Sequence, residues 1–194
     1  MGLKLGSLFD GSGTVPLAAR MLGIEPVWAS EIEPFPIRVT RKNFPNMKHY
    51  GDITKMSGAE VEPVDIIAGG SPCQDLSVAG KQVGLMGGKR SSLFFEQIRI
   101  IKEMRNATDG IYPRINIWEN VPGAFSSNGG EDFRTVLEEF CRVKDETVTI
   151  PQPKKWEHAG LILGGGLQRC MACAGLSILG SAPKKEKNLS CGRF

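Results

Sequence analysis

No long apolar run occurs anywhere in the 194 residues, and spanning a bilayer as a helix takes about 20 consecutive apolar residues. A charged segment followed by an apolar stretch is also missing from the start. Met1-Gly2-Leu3-Lys4-Leu5 runs straight into a strand pattern, so no signal peptide is expected. The reading is of a cytoplasmic chain whose five cysteines are thiols rather than a disulfide framework. Metal-ligand spacing is absent too. Cys170-Met171-Ala172-Cys173 is a lone C-x-x-C, with only Cys191 near it and no histidine after His158, so no metal site is expected. A last absence concerns the glycine-rich turn Phe9-Asp10-Gly11-Ser12-Gly13. The third glycine of a dinucleotide fingerprint is replaced by Pro16, which disfavours a dehydrogenase.

What is present is an ordinary globular composition, 41% apolar and 23% charged. Strand patterns over Leu3–Phe9, Pro26–Ser30, Met47–Tyr50, Val64–Ala68 and Ile115–Trp118 alternate with helical patterns. The helices are predicted over Pro16–Leu22, with Thr14 as N-cap and Gly23 as stop, and over Phe35–Asn43, Ser91–Arg105 and Asp132–Val143. This alternation predicts an α/β fold, a doubly wound and mostly parallel sheet covered on both faces. The segment Gln74–Arg90 is glycine-rich, carries Lys81, Lys89 and Arg90, and lacks periodicity, which predicts a long functional loop.

Chemistry-bearing residues recur after successive strands. Phe9-Asp10-Gly11-Ser12-Gly13 follows the first and lets a ligand approach the backbone at a helix N-terminus. Glu31 follows the second, about 20 residues on, where an acid holds ribose hydroxyls. Gly51-Asp52-Ile53 follows the third, Pro72-Cys73-Gln74 the fourth and Glu119-Asn120-Val121 the fifth. Each alone reads as a turn glycine, a solvated acid or a capping residue. Five in order at strand ends, where open α/β sheets bind ligands, read as a site.

These motifs, with Gly69-Gly70-Ser71 and Arg90-Ser91-Ser92-Leu93-Phe94-Phe95-Glu96, make the chain resemble the DNA (cytosine-5)-methyltransferases over most of Leu5 to Gly123. The resemblance implies the Rossmann-like fold of S-adenosylmethionine-dependent methyltransferases, in a bacterial or phage-encoded, monomeric protein. It implies that Phe9, Gly11, Gly13, Glu31, Ile32, Asp52, Ile53 and Pro72 bind S-adenosyl-L-methionine. Phe9, Gly11 and Gly13 would take the methionine end, Glu31 the ribose, Ile32 the adenine ring and Asp52 its amino group. Cys73 would be the nucleophile and Glu119 the carboxyl that stabilises charge on the cytosine ring. Gln74, Ser77, Lys81, Arg90, Ser91, Asn120 and Val121 would contact double-stranded DNA carrying a flipped cytosine.

The resemblance stops after about Gly164. From Pro151 onward seven basic residues face two acidic ones, a net +5, against 17 basic and 19 acidic residues elsewhere, a net −2. A basic tail suggests a rival function, a non-catalytic cofactor-binding module with a DNA-binding tail. Codons supply another account. Leu167–Phe194 can be back-translated so that a reading one base later gives FSVAWRVLDSVFWGVPQRRKRIYLVADF, which contains the Trp-Gly-Val-Pro-Gln-Arg-Arg segment the family carries next. The expected organisation is therefore an incomplete catalytic domain over 1–166, a frameshifted tail over 167–194, no target-recognition domain, and an inactive chain as written.

Overall fold

The computed structural model describes residues 2–72, 92–154, 156, 159–163 and 169–173. Five parallel strands form one sheet in the order β3-β2-β1-β4-β5. They are β1 (Lys4–Leu8), β2 (Glu25–Ser30), β3 (Lys48–His49), β4 (Ile66–Gly69) and β5 (Ile115–Trp118). The helices between them are α1 (Thr14–Met21), α2 (Pro34–Asn43) and α3 (Ser92–Ala107), and α4 (Glu131–Arg142) follows β5. No described helix is long and apolar enough to cross a membrane.

Burial explains the strand order. Ile66, Ile67, Ala68 and Gly69 are all buried, as a strand covered on both faces requires. At the end of the sheet, β5 alternates instead: Ile115 and Ile117 are exposed while Asn116 and Trp118 are half-buried. Successive side chains of a strand point to opposite faces. Leu5, Ile66 and Ala68 accordingly pack with Ala19 of α1, and Ala29 packs with Phe44 just past α2. Leu8, Trp28 and Ile67 pack on the other face with Ile100, Ile101 and Met104 of α3. Beyond α3 lies α4, whose Val136 packs with Phe94 and Ile98. Gly6 sits against the Trp28 ring, which is fully buried and donates from Nε1 to the Glu62 carbonyl at 2.8 Å.

One local expectation is corrected. The first helix begins at Thr14 itself, with Gly13 at the N-cap in a left-handed conformation (φ 84°) that a threonine adopts poorly. The tail contributes a strand, β7 (Arg169–Cys173). It pairs antiparallel with β6 (Ala159–Leu163) in a separate two-stranded sheet. The glycine run between them in the sequence is of hairpin composition.

Candidate active site

Because all five strands run parallel, their carboxyl ends lie along one edge of the sheet, and the loops there carry the candidate residues. The turn after β1 holds three residues in left-handed backbone. Phe9, Gly11 and Gly13 all have positive φ, of 55°, 57° and 84°. For Gly11 a side chain would meet nothing within 4 Å, so the backbone there is open to a ligand. Gly13 has a second constraint, since an added Cβ would lie 3.2 Å from Thr40 Oγ1.

Asp10 is buried beneath this turn. It accepts hydrogen bonds from Ser7 Oγ at 2.6 Å and Thr40 Oγ1 at 3.2 Å. Burial raises its carboxyl pKa, against the two hydroxyls, which favour the charged form. Thr40 Oγ1 also lies 3.3 Å from the Gly11 carbonyl and 3.1 Å from the Pro36 carbonyl, alternative acceptors for its single proton, so α2 braces the glycine turn. Neither Asp10 nor Thr40 was singled out from the sequence. The available signal was a threonine on the inner face of a short helix.

Glu31, after β2, accepts three backbone N–H groups: Gly11 at 2.8 Å, Ile32 at 2.7 Å and Glu33 at 3.0 Å. The first ties it to the glycine turn. Beside it the Ile32 side chain is 65% exposed, an unusual position for a large apolar group. Ser30 Oγ donates to the Gly51 carbonyl at 2.7 Å and holds the loop after β3 alongside. Asp52 caps a short 3-10 turn, Ile53–Lys55, by accepting from Thr54 N (3.0 Å) and Thr54 Oγ1 (2.8 Å), and these bonds lower its pKa. The Ile53 side chain is buried in the core, which leaves only its backbone at the site. Gly51, at φ 73°, again faces open space.

At β4 and β5 the register pairs Gly69 with Trp118, and Glu119 N donates to the Gly69 carbonyl at 3.0 Å. Trp118 Nε1 donates to Ser71 Oγ at 3.3 Å. The Glu119 carboxylate lies directly on Gly70, where an added Cβ would come within 2.6 Å of Oε2. Pro72 is exposed. Asn120 Oδ1 accepts from Val121 N at 2.7 Å, and Val121 is 40% exposed. Cys73, Gln74, Ser77, Lys81, Arg90 and Ser91 lie outside the described residues. Among the described residues no group of three or more metal-ligating side chains occurs. A cavity of about 370 Å³ is lined by Val27, Trp28, Lys48, Tyr50 and the 60–63 segment, and it includes none of the site residues above.

A parallel sheet with open glycine turns at its carboxyl edge places the chain in the Rossmann-like class. Solved methyltransferases share that fold. A prophage-encoded E. coli protein described as a DNA modification methyltransferase superposes with a TM-score of 0.56 at 24% identity, covering 72% of this chain and 38% of that one. The family model for C-5 cytosine-specific DNA methylases matches residues 3–144, and the chain belongs to that family. Type II methyltransferase M1.ScrFI of Lactococcus lactis subsp. cremoris is 38% identical over 135 residues, 69% of this chain and 32% of the relative. Type II methyltransferase M.HhaI of Haemophilus parahaemolyticus is 33% identical over 135 residues, 70% of this chain and 38% of the relative. A protein of Escherichia phage P1 called DNA N-6-adenine-methyltransferase is 36% identical over 64% of this chain, which spans only 17% of its length. The chain thus spans well under half of each of these relatives.

Proposed function

We propose that this chain is the cofactor-binding catalytic part of an enzyme that methylates C5 of cytosine in double-stranded DNA through a covalent adduct of Cys73 with C6. The observation that carries the reading is the seat of Glu119 on Gly70, three residues before Cys73, which supports a nucleophile and a carboxyl acting on one base.

The residues at the strand ends suit S-adenosyl-L-methionine. An amphiphilic adenosyl ligand needs a backbone turn open to approach, an acid for ribose hydroxyls and an apolar face for the ring. Gly11 and Gly51 face open space, Glu31 is bound to the glycine turn, and Ile32 is exposed beside it. Phe9, Gly11, Gly13, Glu31, Ile32, Asp52, Ile53 and Pro72 would hold the cofactor, which when bound supplies an electrophilic methyl group. Glu31 and Asp52 orient and the glycine turn admits.

Cytosine C5 is a weak nucleophile. Addition of the Cys73 thiolate to C6 pushes electrons to C5 and makes it reactive, which needs a thiol that ionises near neutrality. Glu119 stabilises the charge that develops at N3 of the ring. Once C5 carries the methyl group that the cofactor would supply, loss of the C5 proton to a base lets the Cys73 sulfur leave and restores the aromatic ring. The base must be extruded from the duplex to be reached. Gln74, Ser77, Lys81, Arg90, Ser91, Asn120 and Val121 complete the DNA contacts. The protein is cytoplasmic in this reading, as its host's DNA requires, and acts as a monomer.

Residues 167–194 belong to a shifted reading frame in the same proposal, which leaves the chain as written without methyl transfer. Sequencing the gene across the codons for Gly164–Leu167 tests this directly, and an uninterrupted frame with no inserted or deleted base overturns it. The catalytic reading is tested on the frame-restored protein with duplex DNA containing 5-fluorocytosine and radiolabelled cofactor. A covalent protein–DNA species should form, and Cys73→Ser should abolish it while cofactor affinity changes less than about twofold, since a serine hydroxyl ionises far too weakly to add. Trapping that persists in the serine variant sinks the nucleophile assignment.

A further inference from the structure

Arg99, on α3, belongs to none of the motifs above, yet its guanidinium uses every donor it has. Nε and Nη2 donate to Glu96 Oε2 (2.9 and 2.7 Å), and Nη1 donates to Glu103 Oε1 (2.8 Å). The remaining two N–H groups leave the helix. Nη2 reaches the Ile53 carbonyl and Nη1 the Met56 carbonyl, each at 2.9 Å. Five donors make five hydrogen bonds, the full capacity of the group. Glu103 continues the contact by accepting from Gly58 N through Oε2 at 2.7 Å. Gly58 approaches α3 so closely that an added Cβ would fall 2.2 Å from the Ile100 carbonyl.

These bonds fasten both ends of one short loop. Asp52 immediately precedes Ile53, and on its other side the Gly51 carbonyl is held by Ser30 Oγ. Asp52 is therefore pinned between β2 and α3. The two glutamates on Arg99 balance its charge and hold its plane, so the fork is aimed at the loop before any ligand arrives. The loop itself has few other anchors: Thr54 and Lys55 are exposed, and only Ile53 and Met56 insert into the core.

We propose that Arg99 is a positioning residue for cofactor binding, acting through the loop that carries Asp52. The inference rests on the assignment of Asp52 to the adenosyl ligand made above. Lysine cannot replace the arginine, because an ammonium has three donors at one point and cannot span two carbonyls and two carboxylates. Loss of the fork frees the loop, and Asp52 no longer waits in register with Glu31.

The test is titration calorimetry of the 194-residue chain with S-adenosylmethionine and S-adenosylhomocysteine. Arg99→Lys should raise the dissociation constant about tenfold, the lower range for a displaced positioned group. In an Asp52→Ala background the same substitution should change affinity less than about twofold, because coupled residues share one effect. Val136→Ala, in the core away from this loop, should lower the melting temperature and leave affinity unchanged, separating positioning from stability. If Arg99→Lys does not fold, Glu103→Gln, which keeps an acceptor for Gly58 N, should still weaken binding two- to threefold, on the order expected for a partial loss. Equal affinity in wild type and either variant overturns the inference, as does an undiminished Arg99 effect in the Asp52→Ala background. A wild-type chain that binds neither compound overturns the assignment of the cofactor site itself.

Discussion

Gly70→Ala separates catalysis from stability at one atom. The alanine Cβ would sit 2.6 Å from Glu119 Oε2, whereas ordinary contact begins near 3.4 Å. The carboxylate must therefore retreat by roughly 0.8 Å to regain van der Waals contact. Its backbone carbonyl, at 3.5 Å from the same Cβ, need not move. Gly70 is not among the residues with positive φ, so alanine is allowed there by the backbone. The clash falls on the flexible end of a side chain, and replacing glycine restricts the unfolded chain by about 0.4–1 kcal/mol. Net stability should thus stay within about 1 kcal/mol of wild type. Methyl transfer should not. A shift approaching 1 Å in a group that acts on the reacting ring costs about 10- to 100-fold in rate, or roughly 1.4–2.7 kcal/mol of barrier. Single-turnover transfer of radiolabelled methyl groups by the frame-restored protein, at saturating cofactor and DNA, measures this, with a thermal melt beside it. An unchanged rate would refute the role given to Glu119. A collapse of the fold would refute the claim that only the carboxylate is displaced.

Two other expectations concern the scaffold. Gly6→Ala would drive a Cβ to within 2.1–2.4 Å of the Trp28 ring, which is fully buried and cannot yield. Overpacking of this kind should cost about 3 kcal/mol and lower the melting temperature by roughly 6–12 °C, and a melt within 2 °C of wild type (about 0.5–1 kcal/mol at that scaling) would contradict the packing. His49 has a pKa lowered by burial first and by Arg41 second, against an opposing pull from Glu31. A depressed folded-state value means its stability contribution is present above the unfolded value of about 6.5 and is lost as pH falls through the folded one. Both ring nitrogens lack a hydrogen-bond partner among the described residues. The melting temperature should therefore fall below pH of about 6.5, and His49→Leu should flatten that fall; an equally steep decline in the variant would assign the pH dependence to other groups.

Sequence by itself determined what is local. An apolar run such as Ile66–Ala68 makes a central strand whatever surrounds it, and the glycines of Gly11-Ser12-Gly13 announce a turn with positive φ because few other residues take it. The helix and strand boundaries came within two residues for most elements, and the family was legible in motifs that each occupy a few consecutive positions. Tertiary structure decided everything that depends on distance along the chain. Glu31 reaches Gly11 across 20 residues, and Glu119 reaches Gly70 across 49. Both meetings exist because neighbouring parallel strands bring their carboxyl ends level, and no single segment encodes that register. The clamp of Arg99 on Ile53 and Met56 was equally hidden, since an arginine between two glutamates on a helix reads as surface charge until the loop folded against it is seen. Side-chain identity is a property of positions, whereas a site is a property of positions brought together, and only the packed sheet performs that second operation.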